Sequence, residues 1–253
     1  MFDTLIFEAL TPTGIIVIIL SIVSVGLAKA GIAGAGSLAI PVLAAVLGGK
    51  VSVGFLLPIL LFADVIAVIY YKRTAQWKIL FSILPWAIVG VGVATLVGAS
   101  LSDEEFTIIL SVIIITGVII TILRDVYNIG TQAPKHWLFS VVMGFLAGFT
   151  SMLGNAAGPI VTLFLLSLYL KKEAFAGTRA WYFFIMNIIK IPLHIFAWNT
   201  ITLKSFTSGL TLFPIVIVGM IIGFWLIKII PDKTYRFILL ALTTLSAIIL
   251  IFK

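Results

Sequence analysis

The sequence predicts an all-α, polytopic membrane protein built from two inverted-topology repeats, each of about three full spans plus a pair of short segments joined by a glycine-rich break. Three observations predict it. Hydrophobic residues make up 62% of the chain and charged residues only 10%, whereas a soluble domain carries about a quarter charged. Apolar segments follow one another along the whole length, and 51–71, 80–99 and 206–227 reach the roughly 20 residues that a helix needs to cross a hydrocarbon core. A register of glycines and prolines in the first half recurs in the second. A transmembrane barrel would instead alternate over segments of about ten residues, and 111–123 show no such period.

The first apolar run, 13–28, is preceded by Asp3 and Glu8 rather than by a basic leader, so it reads as a retained span and not as a cleaved signal peptide. Segments 34–47, 51–71, 80–99 and 105–123 complete the first set. A polar stretch carrying Asp125, Asn128, Gly130, Gln132, Pro134 and Lys135 then divides the chain. The second set runs 138–153, 157–170, 180–198, 206–227 and 235–252. The reading is one transmembrane domain over 1–253, with repeat 1 at 1–124, a linker at 125–137 and repeat 2 at 138–253.

Superposing the two sets places GSLAIP, Gly36 to Pro41, on GNAAGP, Gly154 to Pro159, with Gly26 on Gly144 at the same offset. After an insertion in the second half between Trp181 and Lys204, Pro85 falls on Pro214, Gly90 on Gly219 and Asp103 on Asp232. Basic residues near span ends stay in the cytoplasm. Lys72, Arg73 and Lys78 therefore mark an inside loop, while Asp103, Glu104 and Glu105 mark an outside one. Arg124, Lys135 and His136 make the linker cytoplasmic. In the second half Lys171, Lys172 and Arg179 are inside, Lys204 alone is outside, and Lys228, Lys233 and Arg236 are inside again. Both termini come out external, and the two repeats enter from opposite sides. Trp77, Trp137 and Trp198 stand at span ends as interface anchors.

The net charge of +7 is explained by this topology, since no basic stripe or groove-reading motif accompanies it; the expected partners are the lipid bilayer and a small solute, not nucleic acid. The absence of cysteine excludes a disulfide, a thiol catalyst and a thiolate metal site. No metal-ligand cluster and no paired aspartates within spans point to an intramembrane enzyme, so neither catalysis nor a cofactor is expected.

In each half two short segments meet at a glycine-rich joint: Gly31, Gly34, Gly36 and Ser37, then Gly148, Gly154, Asn155 and Gly158. Irregular backbone at membrane depth is tolerated only beside protein or a watery cavity. The helices beginning near Ser37 and Ala157 would point free N–H groups and a positive dipole end at that cavity, which suits an anion. Ser37 and Asn155 would cap these helices or donate to the solute. The other reading of the glycines is close helix packing, as in Gly144 with Gly148 and Gly154 with Gly158. Charges inside spans need a reason. Lys29, Arg179 and Lys190 would add positive potential to an anion site, with Arg179 also readable as an interface residue. Asp64 reads as an ion-pair partner or a proton carrier, and His194 as a proton relay or a packing residue. Asn187 is equally a packing group or a solute contact. Pro41, Pro58, Pro85, Pro159, Pro192 and Pro214 shape the helices.

The second half reads GFLAGFTSMLGNAAGP from Gly144 and KKEAFAGTRAWYFFIMNIIKIP from Lys171 to Pro192, with GLAKAGIAGAGSLAIP from Gly26 as the first-half counterpart. This resembles the TauE/SafE family of sulfite and organosulfonate exporters, in a layout that covers essentially the whole chain. Ser37 stands where many members continue a glycine run, and Asn155, Ala156 and Ala157 replace much of one in the second joint. The resemblance implies export of a small sulfur-containing anion across a bacterial inner membrane. With the inverted halves it makes the expected function a secondary transporter working by alternating access. An anion channel, or a carrier of another small carboxylate or anion, is the alternative, and a homodimer is the oligomer considered.

Overall fold

The computed structural model describes residues 11–47, 49–98, 105 and 137–251. The fifth segment, 105–123 apart from Glu105, and the linker, 125–137 apart from Trp137, lie outside the described residues.

Ten helices carry the described chain: α1 (Pro12–Ala30), α2 (Ala35–Leu47), α3 (Gly49–Tyr71), α4 (Trp77–Val97), α5 (Trp137–Gly154), α6 (Gly158–Ser167), α7 (Lys172–Phe196), α8 (Leu203–Leu210), α9 (Phe213–Ile229) and α10 (Asp232–Ile251). No strand occurs among the described residues. Four helices are long and apolar enough to cross a membrane, and the bent pair α8 and α9 makes a fifth candidate. At about 1.5 Å per residue, α2 with 13 residues and α6 with 10 extend about 20 and 15 Å, short of a ~30 Å hydrocarbon core. Large apolar side chains cover the outside, among them Leu20, Ile69, Phe81, Leu96 and Ile221. A surface of that kind is matched to lipid, not water. Trp77 and Trp137 open α4 and α5 with exposed rings, whereas Trp198 is partly buried and donates to the Thr95 carbonyl at 3.2 Å.

The helix starts and stops follow local chemistry. Thr11 caps α1 by accepting from the Gly14 N–H, with Pro12 in the first turn where its missing donor does no harm. The helix ends at Gly31, whose φ of 124° only glycine adopts cheaply; its N–H reaches the Ala28 carbonyl and that of Ile32 reaches Leu27, a Schellman pattern. The single run expected over 206–227 is instead two helices bent by 51° at Thr211 and Leu212. Pro214 in the first turn of α9 withholds a donor, and the Leu212 N–H turns back to the Gly209 carbonyl. Pro85, its partner in the repeat register, sits inside an unbroken α4.

Two glycine crossings organise the bundle. Gly26 of α1 lies against Val216, Gly219 and Met220 of α9, while Gly144 and Gly148 of α5 lie against Ile83 and Ala87 of α4. Gly144 and Gly148 therefore serve close packing, as in the second reading of the small-residue spacing. A side chain at Gly148 would run into the Ala87 backbone. Gly148→Leu should lower unfolding stability in detergent by at least about 1–3 kcal/mol. The control is Gly92→Ala, where an added methyl meets nothing within 4 Å, and the change should be neutral or stabilising by up to about 1 kcal/mol.

Candidate anion site

α6 is apolar and buried from Pro159 to Ser167, so it occupies the centre of the bundle. α2, α5, α7 and α10 pack on it. The face of α7 turned to this region carries Arg179, Phe183, Asn187, Lys190 and His194, at steps of four, four, three and four residues. That spacing is one stripe of a 3.6-residue helix. Arg179, Asn187, Lys190 and His194 are all buried, at 6%, 1%, 1% and 0% exposure.

A cavity of about 40 Å³ opens beside the stripe, and Lys29, Gly36, Asn155, Gly158, Arg179 and Lys190 all contribute to its wall. A water takes up about 10–15 Å³ on this measure, so the space suits roughly three waters or one anion of about four heavy atoms. Gly36 is the second residue of α2 and Gly158 the first of α6. The N-termini of both short helices thus converge on one cavity, as the paired joints predict. Gly34, at φ 94°, and Gly154 shape the joints without lining it. The backbone of Ser37 falls in the first turn of α2, and its side chain lies outside the described residues.

Four buried charges surround the cavity. Lys29 Nζ donates to Asp64 Oδ1 at 2.6 Å, and Asn187 Nδ2 donates to Asp64 Oδ2 at 2.6 Å. Arg179 donates to the Ala28 carbonyl at 2.6 Å. Its Nε has no partner among the described residues. Lys190 Nζ donates to Asn155 Oδ1 at 2.6 Å and to the Ser151 carbonyl at 2.9 Å. Lys29 and Arg179 both stand over the Phe183 ring, 4.6 and 4.8 Å from its centre.

Several expectations are corrected by this geometry. Asn155 does not cap α6, whose capping position is Ala157 with no side-chain bond. With φ at 56° Asn155 turns the chain out of α5, which aims its side chain at Lys190 and at the Val53 carbonyl instead. Arg179 is a buried cavity residue and not an interface one. His194 stands one turn beyond Lys190 but off the cavity wall, with Nδ1 2.8 Å from Thr200 Oγ1. Asn187, left open between packing and solute contact, lines the cavity and holds Asp64. Ser151 and Phe183 were not anticipated, although the stripe of α7 contains the signal for Phe183.

A bundle of helices long and apolar enough to cross a membrane, interrupted by two short ones that start at a small cavity whose only charged lining residues are cations, fits a membrane protein of the solute-transporting class. The family model for the sulfite exporter TauE/SafE matches residues 18–250. The chain belongs to that family, and its class is that of an exporter-type, multi-pass membrane transporter. No curated protein and no solved structure matches it.

Proposed function

We propose that the protein is a secondary transporter that exports a small sulfur-containing oxyanion, such as sulfite or a short organosulfonate, across a bacterial inner membrane by alternating access, with the cavity as its binding site. One observation carries the reading: three buried cations, Lys29, Arg179 and Lys190, line one small cavity, and the one buried carboxylate among the described residues, Asp64, pairs with Lys29 alone. A charge at membrane depth costs about 2.5–3.5 kcal/mol on insertion scales, so an excess of buried cations is retained only for a use. An anion supplies the missing negative charge. The α2 and α6 N-termini add partial positive charge at the same place, and the unpartnered Arg179 Nε is a donor in waiting.

The repeat register supports the two-state element that alternating access needs. Gly26 aligns with Gly144 and Gly219 with Gly90, and these residues form the two crossings, α1 on α9 and α5 on α4. Each repeat thus packs its first helix on the fourth segment of the other. Halves interlocked in this way and inserted in opposite senses would exchange conformations when the cavity changes side.

The test is a thermal-shift screen of purified protein against sulfite, sulfate, thiosulfate and short sulfonates, because a ligand of the folded state raises its melting point. At least one oxyanion should stabilise the wild type, and none should stabilise Gly36→Leu, in which a side chain is driven into the cavity beside Ala28. A wild type indifferent to all of them, or a Gly36→Leu variant that responds equally, would remove the site. Saturable flux in proteoliposomes identifies a carrier, whereas unitary currents would identify a channel.

A further inference from the structure

A carrier that performs net export must return with its site empty, and an empty site here leaves three cations buried together. Uncompensated charge at that depth opposes any movement through the bilayer. Among the described residues Asp64 is the only buried carboxylate, at 0% exposure. It does not line the cavity, yet both residues that it holds, Lys29 and Asn187, do. Arg179 and Lys190 hold only neutral acceptors: the Ala28 and Ser151 carbonyls and Asn155 Oδ1. Lys29 lies on α1, Asp64 on α3 and Asn187 on α7, so the carboxylate bridges elements from both halves.

We propose that Asp64 is a tethered counter-anion, balancing Lys29 when no solute is bound and so permitting the empty carrier to reorient. Its presence makes transport net efflux instead of one-for-one exchange. This rests on the reading of the cavity as an anion site. Asp64 offsets Lys29 on both strokes: on the loaded one the solute adds its own negative charge, and on the return Asp64 supplies all the buried negative charge among the described residues. Removing the carboxylate alone should therefore spare the loaded stroke and block the empty one. Removing the carboxylate and the Lys29 charge together should bring the empty stroke back into proportion with the loaded one, at whatever cost in solute binding the loss of Lys29 carries, because the balance is kept.

The experiment uses purified protein in proteoliposomes loaded with radiolabelled sulfite, with two readouts: equilibrium exchange at saturating sulfite, and efflux into sulfite-free buffer. Asp64→Asn should keep exchange within about threefold of wild type while efflux falls by at least about tenfold. Lys29→Gln/Asp64→Asn should restore the ratio of efflux to exchange to within about threefold of wild type. A proportional loss of both rates in Asp64→Asn would overturn the inference. So would a double variant whose ratio stays as low as the single variant's, the outcome expected if Asp64 is a proton carrier, since the carboxylate that carried the proton is still missing. If Asp64→Asn fails to fold, the double variant decides by its ratio alone. Absence of exchange in the wild type would fell the anion-site reading itself, and this inference with it.

Discussion

Lys29→Met should cost about 3–5 kcal/mol of folding stability, the penalty for breaking a buried ion pair from one side. The pair is 2.6 Å long, with side-chain exposures of 7% and 0%, so both charges are shielded from bulk solvent. Methionine fills much of the lysine's volume but leaves Asp64 Oδ1 facing apolar wall. Asn187 still donates to Oδ2, which offsets only part of the loss. Removing both charges as Lys29→Met/Asp64→Leu should recover most of the stability, because a buried pair replaced by packed apolar groups is close to neutral. Equilibrium unfolding of all three proteins in one detergent measures it. A single variant that loses under about 1 kcal/mol, the value of an exposed pair, would mean that water reaches the site.

The helices were legible because bilayer thickness demands long apolar runs, and runs are read directly from sequence. Their ends were less so where polarity has an internal purpose. The segment expected at 180–198 begins at Lys172, since a reading by apolar runs stops at Arg179 whereas the helix continues through it. What lies there is an amphipathic helix turned inside out, with its polar stripe toward the bundle centre and its apolar faces toward neighbours and lipid. The same stripe, read at steps of three and four, identifies the α7 share of the cavity wall, Arg179, Phe183, Asn187 and Lys190, from sequence alone. The kink before α9 was hidden because an uninterrupted apolar run spans it, and Pro214 was the available clue. Pairing was not legible. Lys29 and Asp64 stand 35 residues apart, and Asn187 reaches Asp64 across 123; neither spacing has a local signature. The capping reading of Asn155 fails for a related reason. A capping residue and a left-handed helix terminator favour the same amide side chain, and only the backbone angle distinguishes them.

Lys190→Met should separate function from stability in the opposite sense to Lys29→Met. The ammonium is 1% exposed and is held by an amide oxygen and a carbonyl, with no carboxylate among its hydrogen-bond partners. Its burial is therefore a cost to folding that no carboxylate hydrogen bond offsets, and in the proposed site the solute would compensate it. Replacing it relieves that desolvation, while Asn155 Oδ1 and the Ser151 carbonyl lose a donor at about 1–3 kcal/mol for a group left unpaired. The two terms nearly cancel, and the melting point should stay within about 2–4 °C of wild type, the shift equivalent to roughly 1 kcal/mol in a chain of this size. Transport has no such offset. A charged hydrogen bond to the anion is worth about 1.5–3 kcal/mol, so saturable sulfite efflux at low concentration should fall by about ten- to a hundredfold. Lys190→Arg, which keeps the charge in a wider fork, should retain part of the flux. If Lys190→Met transports normally, the cation nearest the second glycine joint is structural, and the anion is held by Lys29 and Arg179 at the other end of the cavity.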